Sequence, residues 1–382
     1  MAKEGIPITP EVLTWARKRA GYRADELAAK SGFAEVAACE RGQSNPTYRQ
    51  LEKIAETLQL PVAIFFFPEP PDWPPIEETF RTLGSEQFDE IPPVIRLLLH
   101  KARGYQLGLS ELNDGRNPAE RLITRDFALR DEESPEESAA RIREFLGVSL
   151  ADQFGWRNAD TAFKAWRRAF YRIGVSVFKD RFRADEFCGF SLYDVEFPVI
   201  YVNNSDAKNR QIFTLFHELA HLLYRTSGVF MTRTFGHSPP ADKLQIEKKC
   251  NALAALILVP KEEFDLARTP GRFDRSEASD LARKFSVSRE VIYRKFRDRN
   301  WIDQGEYEAA TSEWADQLAI APKKKPGGDP YRTWLTYLGE EYVTLAFRRY
   351  YEERIDDEEL SDFLGIKPKY IDTLEETLLG ER

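Results

Sequence analysis

Apolar and polar residues along this chain follow two periods, and the change from one to the other marks its organisation. Over residues 8–66 the apolar positions fall three and four apart: Val12, Leu13, Trp15 and Ala16, then Leu27 and Ala28, then Leu51, Ile54, Ala55 and Leu58. They predict short helices. Thr9 and Pro10 are placed to start the first, Gly32 to close the second and Thr47 to cap the last. Residues 91–173 continue in helical spacing: Ser134, Pro135, Glu136 and Glu137 form a helix start ahead of Ile142, Phe145 and Leu146, and Phe163, Trp166 and Phe170 repeat the spacing. Residues 174–178, 188–192 and 198–203 are instead short apolar runs, the pattern of buried strands. A long apolar helix follows over 210–223. A second runs over 246–260, charged at its start and stopped by Pro260. Residues 280–297 read as a helix pair with a basic second member, and 331–379 as a small helical tail. The expected class is α+β and mainly helical, with one small sheet.

Two stretches read as boundaries. Phe65–Pro75 mixes aromatics with prolines that stiffen an extended crossing, its aromatics expected to dock on a neighbouring domain. Lys323–Pro330 joins a charge run to Pro and Gly and is the clearest linker. At 382 residues the chain exceeds one typical core, so two or three domains are expected. Hydrophobic residues at 42% and charged ones at 31% describe an ordinary soluble protein. No apolar run approaches the ~20 residues that span a bilayer. The first residues lack the apolar core of a signal peptide, and Cys39, Cys188 and Cys250 offer no disulfide framework, so the cytoplasm is the expected compartment. A net charge of −8 argues against coating nucleic acid without specificity.

The candidate chemistry lies in the apolar helix over 210–223. His217 and His221 stand four apart, so both rings point from one face, and Glu218 lies between them. Neutral imidazoles at this spacing suit zinc, and the intervening Glu suits a general base acting on a water. A buried helix holding two His and a Glu needs a reason, and a metal supplies one. A third ligand is expected from a following helix, and Glu247 stands at the polar start of residues 246–260; taken alone it reads equally as a first-turn carboxylate favoured by the helix dipole. Cys250, in an Ala/Leu-rich stretch, reads as a small buried residue rather than a thiolate ligand. His100 reads as a residue at a core edge. His237, in a loop between the two motifs, has the chemistry to stabilise an oxyanion.

Residues 210–223, followed by Glu247 through Pro260, resemble the ImmA/IrrE family of zinc metallopeptidases. The family's second motif, Glu-x-x-Ala-Asn, is matched by Glu247 and Asn251, while Cys250 replaces the Ala. The resemblance implies a zincin-like domain with Zn2+ on His217, His221 and Glu247 and Glu218 as catalytic base. It also implies a regulatory substrate such as a transcriptional repressor. Residues 8–66 resemble the Xre/Cro helix-turn-helix family through Leu27, Ala28 and Gly32, through Glu40, Arg41 and Gly42, and through Pro46 and Thr47. Gly32 to Glu40 is only eight steps, shorter than is usual there, and Phe33–Cys39 offers no Arg, Lys, Asn, Gln or Ser to read bases. A degenerate five-helix domain used for protein contact or dimerisation is therefore expected over DNA reading. In the peptidase family the pair over 280–297 belongs to the catalytic domain. The tail resembles that of long, helix-turn-helix-bearing members, several of which look like antitoxins.

The expected plan is a helix-turn-helix domain and Pro-rich linker over 1–75, a helical connection over 76–155, the peptidase domain over 156–322 and a helical C-terminal extension over 331–382. Two functions follow: a protease acting on a partner protein, its substrate laid along the 198–202 strand, or an antitoxin that neutralises a toxin by contact. An intact Glu218 favours the first. Partners are expected to be proteins, with a homodimer possible, DNA doubtful and no membrane.

Overall fold

The computed structural model describes residues 5–76, 91–226, 229–231, 241–320 and 328–380. The chain divides into two compact units, Met1–Gly104 with Phe182–Ala184, and Tyr105–Arg181 with Asp185–Arg382. The architecture is α+β.

The first unit holds α1 (Pro10–Arg19), α2 (Ala24–Ser31), α3 (Val36–Glu40) and α4 (Tyr48–Leu58), then a 3-10 turn, Val62–Phe66. Val12, Leu13, Leu27, Val36, Leu51, Ile54, Leu58 and Phe65 meet in one core, as the apolar spacing requires. Pro10 opens α1, and Gly32 adopts the left-handed conformation that ends α2. Thr47 caps α4 through Gln50, whose Oε1 accepts from the Thr47 amide and hydroxyl, both at 2.8 Å. Thr9 occupies the cap position of α1, but its hydroxyl donates to the Phe67 carbonyl at 2.6 Å and ties the strap after α4 to the start of α1. Glu40 grips the Arg17 guanidinium at 2.6 and 3.0 Å, which fixes the turn after α3. The expected reading helix is short: regular turns begin only at Val36, leaving Ala34 and Glu35 exposed ahead of it. Trp73 packs within its own unit, edge-on to Trp15 at 5.4 Å, with Arg19 over both rings. The unit also takes the start of α5 (Pro93–Leu112), where His100 Nε2 lies 3.2 Å from the Arg19 carbonyl.

The second unit is built on a four-stranded sheet. α6 (Ile123–Asp126), α7 (Pro135–Leu146), α8 (Leu150–Gly155) and α9 (Ala159–Arg172) precede β1 (Ser176–Asp180), β2 (Phe187–Leu192) and β3 (Val199–Asn203). Then come α10 (Lys208–Leu223), β4 (Val229–Met231) and α11 (Ala241–Leu258). The order is β1-β3-β2-β4, with β1 parallel to β3 and β2 antiparallel to both its neighbours. β1, β2 and β3 are buried along nearly their whole length, which is why their sequences are apolar runs rather than alternations. β3 has a strand on each side, so a substrate cannot lie along it; that expectation is corrected by the strand order. The short β4 was not anticipated, and α11 starts at Ala241, ahead of the expected Ile246.

α10 crosses the sheet as the buried centre of this unit. Phe216 on its inner face meets Trp166 and Phe170 of α9 edge-on at 4.7 and 5.3 Å. α12 (Lys261–Ala267), α13 (Arg275–Phe285), α14 (Arg289–Asp298) and α15 (Gln304–Ile320) follow. Phe285, Ile292, Tyr293 and Phe296 join the core around α10, so the helix pair over 280–297 belongs to this unit; Arg283, Lys284 and Arg294 are exposed, whereas burial lowers Lys295 to about 8. The tail is α16 (Pro330–Leu338), α17 (Glu340–Tyr351), α18 (Asp357–Leu364) and α19 (Ile371–Gly380). Residues 323–327 of the expected linker lie outside the described residues. Among the described residues no helix is long and apolar enough to cross a membrane.

Candidate metal centre

Successive turns of α10 present His217 and His221 from one face, and α11 packs beside them with Glu247 on its second turn. The three side chains converge. Glu247 Oε2 lies 3.2 Å from His217 Nε2, Glu247 Oε1 lies 3.2 Å from His221 Nε2, and the two Nε2 atoms are 3.1 Å apart. Both imidazoles are buried, whereas the Glu247 side chain is 34% exposed, so the cluster opens to solvent on the carboxylate side.

The other ring nitrogens fix what these atoms can offer each other. His217 Nδ1 lies 3.2 Å from Asn251 Oδ1, an acceptor, so that nitrogen carries the proton. His221 Nδ1 lies 3.1 Å from Thr226 Oγ, whose own hydrogen is committed to the His221 carbonyl. The Thr226 oxygen can therefore only accept. With both imidazoles neutral, the two Nε2 atoms are lone pairs facing each other and a carboxylate, so three acceptors meet unless a cation or an added proton lies between them. Such a meeting is favourable around a cation. Zinc bonds of about 2.0–2.2 Å in a tetrahedron place ligand atoms roughly 3.3–3.6 Å apart, within a few tenths of an ångström of the edges seen. The donor set fits a divalent ion of this kind.

The electrostatics agree. Burial raises the proton affinity of the Glu247 carboxyl, but its hydrogen bonds to His217 and His221 outweigh this and hold it at about 2. Burial lowers His217, only partly countered by Glu247. Burial also acts against a charged His221, yet hydrogen bonds to Cys250 and Glu247 lift it well above the usual imidazole range. The cluster therefore favours a positive charge beside the Glu247 carboxylate, a place a metal ion or a proton can fill.

Glu218, fully buried, reaches β2 from α10 while its carboxyl remains within electrostatic reach of His221 and Glu247. Its Oε2 accepts from Ser191 Oγ on β2 at 2.7 Å, and its Oε1 has no hydrogen-bond partner among the described residues. Burial pushes its carboxyl up to about 8, opposed by His221 and Ser191. Close approach of strand and helix makes this contact possible. A Cβ on Gly189 of β2 would stand 2.5 Å from Thr214 Cγ2 of α10 and 2.8 Å from the Tyr201 carbonyl of β3, so no side chain fits there.

Three of the four expected site residues, His217, His221 and Glu247, therefore converge from α10 and α11, while Glu218 stands next to His217 on α10 and contacts β2. Ser191 and Thr226 were not anticipated: which strand residue faces α10, and how the turn after it returns, are tertiary facts. Asn251 was visible only as part of a motif. Cys250 is buried in the core as expected, burial raising its thiol, and it also lies against His221. His237 falls outside the described residues. His100 sits in the other unit and takes no part; burial holds it at about 4.

Residues 172–297 match the family model of the IrrE N-terminal-like domain, Peptidase_M78, and residues 13–65 match a helix-turn-helix model. The first match spans β1 through α14 and contains His217, Glu218, His221 and Glu247. Together the two matches correspond to an ImmA/IrrE-type peptidase domain joined to an Xre-like helix-turn-helix. No curated protein matches the chain.

Proposed function

We propose that this chain is a zinc-dependent endopeptidase with a regulatory role, acting on a partner protein such as a transcriptional repressor. The observation that carries the reading is Glu218: a buried carboxylate on the helix of the two histidines, one oxygen anchored and the other without a partner among the described residues. His217, His221 and Glu247 would hold the metal. When bound, zinc supplies Lewis acidity at the scissile carbonyl and a positive charge that draws protons off water and off Glu218. Glu218 Oε1 takes one proton from the attacking water as the hydroxyl adds to the carbonyl carbon. It returns that proton to the nitrogen as the C–N bond breaks, so the carboxylate is regenerated. Asn251 and Thr226 hold the imidazoles in the tautomer that frees Nε2. Among the described residues β4 pairs with β2 alone, so its outer edge is the place for an extended substrate to add.

The test is digestion of a proteome-derived peptide library, read by mass spectrometry. Cuts at a restricted set of sequences, lost on chelation and restored by zinc, are expected. A library left intact by zinc-loaded protein contradicts the reading.

Protein partners are favoured over DNA. α3 presents Ala37 and Ala38, with Ala34 and Glu35 ahead of it; none donates a hydrogen bond to a base edge, and Glu35 opposes phosphate. Binding of the full chain to an operator sequence is expected to be weak or absent. A nanomolar footprint at physiological salt, abolished by changes within residues 35–38, contradicts this. All three cysteines are buried and unbridged, which suits a reducing compartment.

A further inference from the structure

We propose that Ser191 is a positioning residue for the proton transfers made by Glu218; the proposal rests on reading Glu218 as the general base. A carboxylate torsion is soft and roughly two-fold, so a glutamate with no fixed partner spreads over many orientations. Glu218 is fully buried, and one donor meets it, the Ser191 hydroxyl at 2.7 Å on Oε2. No lysine or arginine is paired with it among the described residues.

The donor stands on rigid ground. β2 lies between β3 and β4, and Ser191 pairs with Ile200 in the antiparallel register. Positions 189 and 191 share the face toward α10 by the two-residue period of a strand. Gly189 lets that face approach: its Cα lies where an added Cβ would be 3.8 Å from Glu218 Cγ, closer still to Thr214. The spacing leaves room for a serine whose oxygen reaches the carboxylate. A larger residue at 191 would push the strand off the helix, and an alanine would leave Oε2 without its donor.

The geometry also suits both halves of the cycle. With Glu218 ionised, Ser191 holds Oε2 and leaves Oε1 for the proton. Once Oε1 is protonated, Oε2 becomes the carbonyl oxygen and still accepts from Ser191. The O–H thus keeps its direction until it is delivered to the leaving nitrogen, and Ser191 exchanges no proton itself.

The experiment is a double-mutant cycle with Ser191→Ala, Glu218→Gln and the pair, on the best-cleaved peptide of the library. Ser191→Ala should lower kcat by about 10–100-fold with KM and zinc content unchanged, the scale of misplacing a reacting group. On the Glu218→Gln background it should have no further effect. A second readout needs neither zinc nor turnover. In protein labelled with 13C at glutamate carboxyls, the Glu218 resonance, assigned by its loss in Glu218→Gln, should move in Ser191→Ala. Equal kcat in Ser191→Ala and wild type, an unmoved resonance, or an equal loss on both backgrounds would each overturn the proposal while leaving the peptidase reading intact. An inert zinc-loaded wild type would overturn that reading, and this proposal with it.

Discussion

Glu218→Gln is expected to leave zinc and fold in place and to lower peptide hydrolysis by roughly 10²–10⁴-fold, the usual cost of losing a general base. The amide matches the carboxylate in shape, and its carbonyl oxygen can keep the Ser191 hydrogen bond. Its NH2 group then occupies the place of the unpartnered Oε1 and cannot accept a proton. Stability should not suffer. Burial holds the carboxyl at about 8, so in metal-free protein near neutral pH this group is already mostly uncharged, and the amide resembles it. Cells carrying the variant should retain the partner protein uncut and match a deletion in phenotype. An antitoxin that works by contact gives the opposite result, because Glu218→Gln would neutralise its toxin as well as wild type does. Full biological activity of the variant beside a zinc-loaded wild type would move the assignment to a binding module.

Much of the candidate metal cluster was legible because it obeys a local rule. Positions four apart on a helix share one face, so His217 and His221 were paired by spacing alone, and the apolar residues around them placed that helix in the core. Glu247 was different: its spacing allowed an ordinary first-turn acid, and the resemblance of residues 246–260 to a known motif singled it out. The packing of α11 on α10 is what brings it to the imidazoles. Strand positions were legible to within two residues because buried strands are apolar runs. Their order was not, since it depends on pairing between distant segments, and the substrate was accordingly set against β3 instead of an open edge. β4 has three residues and too little pattern to stand out. Ser191 sits in a run that reads only as strand; its role appears once Gly189 lets the strand close on α10. In the first unit, the missing base readers of α3 were visible in the sequence, while the docking of Trp73 on Trp15 was not.

The cluster itself carries the second large effect. Replacing both His217 and His221 by Ala removes two of three ligands and leaves Glu247, a single and partly exposed carboxylate, which cannot hold the ion. Asn251→Ala removes only the partner of His217 Nδ1 and should weaken zinc by about 10–100-fold, the range seen when such supporting groups are lost. Protons compete for the same lone pairs, and His221 in the metal-free protein binds one unusually well. Zinc affinity should therefore rise with pH until His221 is fully deprotonated, and fall as acid refills it. The most direct measurement is the zinc content of purified protein by elemental analysis, wild type against His217→Ala, His221→Ala, with circular dichroism to show that both are folded. About one zinc per chain in the wild type and almost none in the folded double variant is the predicted result; a full complement in the double variant would contradict the account.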